Sequence, residues 1–355
     1  MINSHYIPQL ILRHFCQDNK ILYYDIDEKK LEARNTKSIF AEPGYYPENI
    51  EHDLCDKIER DFAHILNTKM LPQRYKIVLS RKELTIVKKY LIIASYRYRL
   101  NEKKLNEDGV DLKSVQDAEI ANFTKRLSKI LSCDDENDFI RLRNKYFTSI
   151  ATLLCKGKFD ADNFSLGKGV NDILGSYLGF LCTDYCKEDY VVTDLGYCCY
   201  FGQYAFKKLN AMIDSICGGN KSIELFSIAL SCSPVDYYVF PVANNMAIIC
   251  WSPFLQLYDR NTICNIVNAT VNEHIGFGSK DTISSPKVQE INGKRTYTYS
   301  VKQITNSDLH HLNYLLLEEA DKYIAFADYN RIKPSVEYAE KQTQKKRDFS
   351  ALLKL

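Results

Sequence analysis

The chain has no stretch long enough to cross a bilayer. Its longest apolar runs, Tyr90–Ala94 and Met246–Trp251, fall far short of the ~20 residues a spanning helix needs. Nor does the opening Met1-Ile2-Asn3-Ser4-His5 place a basic segment before an apolar one, so no signal peptide is expected. Charge bias is missing too. The formal net charge is +2, and the molecule as a whole has no field to draw it to nucleic acid, which leaves only a local groove for that purpose. There is no G-x-x-x-x-G-K-[ST] loop, and Leu166-Gly167-Lys168-Gly169 has too few correctly spaced glycines for one. H-E-x-x-H, G-x-S-x-G and the dinucleotide fingerprint are likewise missing. ATP hydrolysis, zinc-protease chemistry, α/β-hydrolase chemistry and Rossmann redox chemistry all lose weight.

Cysteine is abundant, with twelve residues, but its spacing is uninformative. The tightest group, Cys182, Cys186, Cys198 and Cys199, contains no C-x-x-C pair of the kind that announces tetrahedral zinc. Without a secretory signal the thiols are expected to be free, in the reducing cytoplasm. Most sit among apolar neighbours and behave as small core residues. No metal site is assigned from the sequence, and no cofactor is identified. A divalent metal stays open, and no nucleotide-binding motif is present.

What remains is an ordinary globular composition, 45% hydrophobic and 26% charged. At 355 residues the chain can bury a core without staples. Ile21–Ile26 and Leu31–Asn35, separated by polar Asp27–Lys30, read as a β-hairpin. Residues 48–150 read as mainly helical. Ile50, Leu54, Ile58, Phe62 and Ile65 form one apolar stripe, and Arg81–Arg99 forms a second helix with an apolar middle at Tyr90–Ala94. Further helices are expected over Val115–Leu131, Glu136–Leu154 and Asn261–Glu273. Short β-type runs follow at Tyr190–Thr193, Tyr237–Phe240 and Ala247–Cys250, with Thr296–Ser300 as an edge strand. A long final helix is expected from about Ser307 to Ala327. The order of elements predicts an α+β fold: N-terminal β-hairpin, central helical region, C-terminal mixed sheet and long final helix. Residues 1–335 form one large domain, with sub-lobes 1–155 and 156–335. Residues 336–355 are a charged tail, frayed or bound to a partner protein.

The string His5-Tyr6-Ile7-Pro8-Gln9-Leu10-Ile11-Leu12-Arg13-His14-Phe15 resembles the opening signature of the bacterial domain-of-unknown-function 4238 family. In that family an H-x-x-P-Q segment leads into a leucine, an arginine and a phenylalanine. Later matches follow in order: Tyr45-Tyr46, Ile50-Glu51 with Glu59, Arg97 and Arg99, Thr193-Asp194, Phe240-Pro241 and Leu312-Asn313. One departure concerns the turn at Asp194, which continues Leu195-Gly196 where the family usually has a polar residue and proline. The resemblance implies no settled activity, only a role in bacterial conflict.

These segments supply the candidate chemistry. His5 can move protons near neutral pH, or its ring can pin the N-terminus by a backbone hydrogen bond. Glu51 and Glu59 flank one helix face. In a regular helix they stand roughly 80° and ~12 Å apart, too far to chelate one small cation together, and Glu51 also suits a helix start. Arg13 and Arg97 are candidate phosphate or anion ligands, although Arg97 also suits a helix C-terminus. Asp194, at a strand end, suits a catalytic carboxylate or a turn former. The enzyme reading makes His5, Glu51 and Asp194 catalytic and uses Arg13 and Arg97 to hold phosphate. It describes a toxin-like or anti-phage-defence effector with nuclease- or hydrolase-type activity on a nucleic acid or nucleotide. The rival is a non-catalytic ligand-binding or sensor module of a defence system. The 25 tyrosines favour it, and it requires a concave, tyrosine-rich pocket with few titratable groups.

Overall fold

The computed structural model describes residues 3–43, 48–97, 175–200, 235–252, 286–291, 293–342 and 347–354, with the single positions 151, 155, 173, 211 and 215. The helices expected at Val115–Leu131, Glu136–Leu154 and Asn261–Glu273 lie wholly or almost wholly outside these residues. The described part is α+β, and its strands form three sheets.

The chain enters through β1 (Asn3–His5) and a helical turn, α1 (Gln9–Leu12), that starts at Pro8. The expected hairpin follows as β2 (Ile21–Asp25) and β3 (Lys30–Arg34), in register from Ile21 opposite Arg34 to Asp25 opposite Lys30. Its turn is closed by the Asp25 carboxylate, which accepts from the Asp27 and Glu28 N–H groups at 3.0 and 2.9 Å, an Asx arrangement that stands in for backbone pairing. A short strand, β4 (Ala41–Pro43), returns to pair with β1 and sets Ala41 opposite His5.

A helical rod then runs from Glu48 to Met70, and it is not a regular α-helix. α2 (Glu48–Leu54) passes into a π turn (Cys55–Glu59), then α3 (Arg60–Ile65), then a second π turn (Leu66–Met70). The Arg60 N–H reaches the Cys55 carbonyl and the Leu71 N–H the Leu66 carbonyl, each five residues back. The expected apolar stripe is buried at Leu54, Ile58, Phe62 and Ile65. Phe62 stacks on Tyr90, ring centroids 3.7 Å apart.

The sequence reading of residues 48–150 as mainly helical passes over β5 (Lys76–Ser80), whose alternating burial is that of a strand. Ser80 then caps α4 (Arg81–Tyr96). Its hydroxyl accepts from the Glu83 N–H while the Glu83 carboxylate accepts from the Ser80 N–H, a capping box. Tyr90–Ile93 are buried as expected, and Arg97 is the C-terminal cap residue.

Next come β6 (Tyr177–Cys182), β7 (Val192–Thr193), β8 (Cys198–Tyr200), β9 (Tyr237–Ala243) and β10 (Met246–Trp251). β11 (Lys287–Ile291) and β12 (Lys294–Gln303) form a hairpin. A seven-stranded sheet runs in the order β11-β12-β6-β10-β9-β8, with β5 also on β12. The β12–β6 pair is parallel and the others are antiparallel, so the sheet is mixed. β9 and β10 are buried along their whole length, which is why they read as continuous apolar runs and not as alternation. Pro241 sits in β9 beyond the reach of β8, which pairs only Tyr237–Val239, so its missing N–H costs no ladder bond there. The run at Thr296–Ser300 is not an edge strand: β12 has β11 on one side and β5 on the other.

The long final helix is also corrected. α5 (Asn306–Glu319), capped by Thr305 and Asp308, stops before Ala320. The residues Tyr323–Phe326 form β13, which lies between β2 and β7 in a four-stranded sheet of order β3-β2-β13-β7. Tyr323, Ile324 and Phe326 are strand formers whose pairing with β2 outweighs the helical spacing of Leu312, Leu316 and Tyr323. α6 (Tyr329–Glu340) follows, and Asn313 of α5 ties it down by donating to the Asp189 carbonyl and the Ser335 hydroxyl at 2.9 and 3.0 Å. Residues 347–354 pack on the chain itself. Phe349 and Leu352 are fully buried, the Phe349 N–H donates to Glu340 at 2.7 Å, and the Tyr329 hydroxyl donates to the Leu352 carbonyl at 2.9 Å. Each anchor contributes about 1.5–3 kcal/mol of burial, a term hidden from a reading that sees mainly the charges around them.

Candidate functional site

The segment richest in matched residues forms a pocket. β1, α1 and the π turn surround a cavity of about 370 Å³, lined by His5, Pro8, Gln9, Leu10, Arg13, Glu51, His52, Cys55, Glu59, Arg60 and Ala63. That volume lies in the range of small-ligand sites. Seven of the eleven lining residues are titratable and none is tyrosine.

His5 comes to the pocket at the end of β1, paired to Ala41. The residue is 8% exposed, and Nε2 is buried with no hydrogen-bond partner among the described residues. Burial holds its pKa below the ordinary value of 6.5, opposed by hydrogen bonds to the backbone at Thr36 and Lys37 and by the charge of Glu51. The ring is therefore neutral at pH 7. A neutral imidazole is donor on one nitrogen and acceptor on the other, so with its proton turned to the backbone at Thr36 and Lys37 the lone pair falls on Nε2. A buried acceptor without a partner costs roughly 1–3 kcal/mol, which makes this atom the clearest sign of function in the pocket.

Glu51 and Glu59 meet on one cation. Arg97, 1% exposed, donates to Glu51 Oε2 at 2.8 Å through Nη2 and to Glu59 Oε1 through Nη1. The π turn makes this possible. Its wider coil takes back the roughly 80° of phase that eight α-helical residues would accumulate, so both carboxylates face the end of α4. They bond different nitrogens of one guanidinium, which is not the joint chelation of one small cation. Burial raises the Glu59 carboxyl above its ordinary range, and Arg97 draws it back. Glu51 gives only one oxygen to Arg97, and no described residue bonds the other.

Arg97 thus spends its charge on two carboxylates behind the pocket and does not line it. Arg13 does, exposed at the mouth and without an ion pair among the described residues. Arg60 joins it there, 3.6 Å from Asp56 on the exposed surface. The spacing of Arg60, His52 and Cys55 along an α-helix gave no reason to single them out. The π turn brings them to the rim, and no residue pattern announces a π turn.

Asp194 is elsewhere. It follows β7, is fully buried and does not line the pocket. Its Oδ1 accepts from the Asp321 N–H at 2.9 Å, and its Oδ2 from the Lys322 and Tyr323 N–H groups at 2.7 and 3.1 Å. The carboxylate thereby fastens the start of β13. Burial pushes its pKa up to about 6 against these three donors. The turn needs glycine, not the family's proline: Gly196 has φ +75°, its N–H donates to the Thr193 carbonyl at 2.9 Å, and a Cβ there would lie 2.6 Å from Ile7 Cδ1.

The pocket brings together His5, Glu51 and Arg13, with Arg97 one contact behind, and leaves out Asp194. Among the described residues no group of three or more His, Cys, Asp or Glu side chains is arranged to hold a metal. Among the described residues Cys182, Cys186, Cys198 and Cys199 form no disulfide, and Cys186 donates to the Ile304 carbonyl at 3.0 Å. No helix among the described residues is long and apolar enough to cross a membrane.

A family model described as a protein of unknown function, DUF4238, matches residues 3–330 of the 355-residue chain. No curated protein and no solved structure matches.

Proposed function

The chain belongs to the DUF4238 family, and we propose that the pocket behind its opening H-x-x-P-Q string is the active site of a nuclease- or hydrolase-type enzyme. The observation that carries this reading is the buried, unpartnered Nε2 of His5, a residue that lines one cavity with Glu51 and Arg13. A neutral imidazole with a free lone pair is a general base at physiological pH, and such a base contributes about 10²–10⁴-fold to a proton-transfer step. Arg13 and Arg60 at the mouth suit the phosphate of a nucleotide or nucleic acid, because a guanidinium fork matches phosphate oxygens. Arg97 holds Glu51 in place without entering the pocket. The rival binding module calls for tyrosine walls and few titratable groups, and this pocket has the opposite lining. The biological role we assign is that of a toxin-like or anti-phage-defence effector.

Induction of the wild type in a bacterial host tests this reading, beside His5→Ala and Asp194→Ala at matched soluble expression. The wild type arrests growth and His5→Ala does not, while any soluble Asp194→Ala retains the arrest. Equal growth of the wild type and His5→Ala counts against an effector working through this pocket.

A further inference from the structure

The depth and the mouth of the pocket offer opposite hydrogen-bonding chemistry. At depth Nε2 of His5 is an acceptor that no described residue bonds, and Glu51 and Glu59 each give one oxygen to Arg97 and keep the other. At the mouth Arg13 and Arg60 carry only donors. A phosphodiester has only acceptor oxygens at neutral pH and is matched by the mouth, not the depth. The depth is matched by a hydroxyl, which donates. One part of a nucleic acid carries both groups side by side: the ribose 2′-hydroxyl and its neighbouring 3′-phosphate. An internal deoxyribose presents no hydroxyl at all, and the 2′-OH is what lets a protein tell RNA from DNA.

Resting on the reading above, we infer that the substrate is RNA and that its 2′-hydroxyl, held between His5 and Glu51 with the adjacent phosphate on Arg13, is the nucleophile. In the step, the O2′–H proton passes to Nε2 of His5 and O2′ bonds to phosphorus. The bond from phosphorus to the 5′-oxygen of the next nucleotide breaks, and that oxygen takes a proton from water at the mouth. The products are a 2′,3′-cyclic phosphate and a free 5′-hydroxyl, with no oxidant, reductant or added group needed. Glu51 accepts no proton in this step. It orients the ribose and is itself oriented by Arg97. The cavity of about 370 Å³ admits about one nucleotide, which selects single strands over duplexes.

The full-length protein is incubated with a single-stranded RNA oligonucleotide, the DNA of the same sequence, and the RNA carrying one 2′-deoxy sugar at the mapped cleavage position. The expected result is cleavage of the RNA alone, ends bearing 2′,3′-cyclic phosphate, and no cut at the 2′-deoxy position. His5→Gln is expected to lower the rate about 100-fold or more, with an unchanged thermal midpoint, and Arg13→Ala to raise KM more than it lowers kcat. Equal cleavage of RNA and DNA, or 5′-phosphate and 3′-hydroxyl ends, overturns the 2′-hydroxyl inference while leaving the hydrolase reading standing. A chain that turns over neither oligonucleotide nor a panel of ribonucleoside triphosphates overturns both.

Discussion

Two buried carboxylate centres in this chain are built from similar parts and left in different states. Around Asp194 every acceptor is used: three backbone N–H groups converge on the two oxygens, and the side chain is sealed. Around Arg97 the cation is divided between Glu51 and Glu59, but Glu51 keeps an unbonded oxygen and His5 a buried, unbonded nitrogen, and both residues line the cavity. The first centre joins β7 to β13 and so closes the four-stranded sheet. The second stays incomplete, at a cost in stability that folding alone does not require. A polar cluster that is fully satisfied holds a fold together, whereas one left partly unsatisfied has capacity for a ligand.

Substitutions at the two centres should therefore divide stability from activity. The largest effect belongs to Arg97. Replacement by Met leaves two carboxylates facing each other without a cation, and removing one partner of a buried pair costs about 3–5 kcal/mol. Chemical denaturation is the measurement, and a loss below about 1 kcal/mol would mean that the ion pair is solvated and the rod is held by other contacts. Next is Asp194→Ala, which strands three N–H donors at the start of β13. A loss of about 3 kcal/mol is expected, with turnover per folded molecule unchanged. A soluble variant with normal stability and no turnover would return Asp194 to the catalytic group.

A third prediction concerns pH. Burial pushes the Asp194 carboxyl up to about 6 in the folded chain, against an ordinary value of 3.8, so the native state binds this proton more tightly than the unfolded chain. Its contribution to stability is complete below about 3.8 and is lost as pH rises through about 6. Thermal midpoints across pH 4–7 should show that slope in the wild type and a flatter curve in Asp194→Asn. His5 has the opposite sign. Its pKa is depressed, so its contribution is present above 6.5 and is lost as pH falls through its lower folded value. The smallest effect on stability is expected for His5→Gln, within about 1 kcal/mol, since it removes the ring's backbone hydrogen bonding and one unpartnered atom together.

The comparison also shows what the residues disclosed in advance. The hairpin β2–β3, the buried heart of α4 and the runs of β9 and β10 were legible, because each is a local pattern of apolar spacing. The strand β13 was not, because its helical spacing loses to a partner strand 300 residues earlier in the chain. His5, Glu51 and Arg13 could be named from segment and chemical type. Their convergence could not, since it depends on a π turn at Cys55–Glu59 that changes which residues share a face. Asp194 was attractive for being a carboxylate at a strand end, and only the geometry of Asp321–Tyr323 shows what its oxygens are bonded to.

The most direct measurement is turnover of RNA by wild type and His5→Gln, each normalised to the folded fraction at the same temperature. A loss of about 100-fold or more at an unchanged thermal midpoint is the predicted result. Equal turnover by the two proteins, with both folded, would contradict the account and place the chemistry outside the pocket.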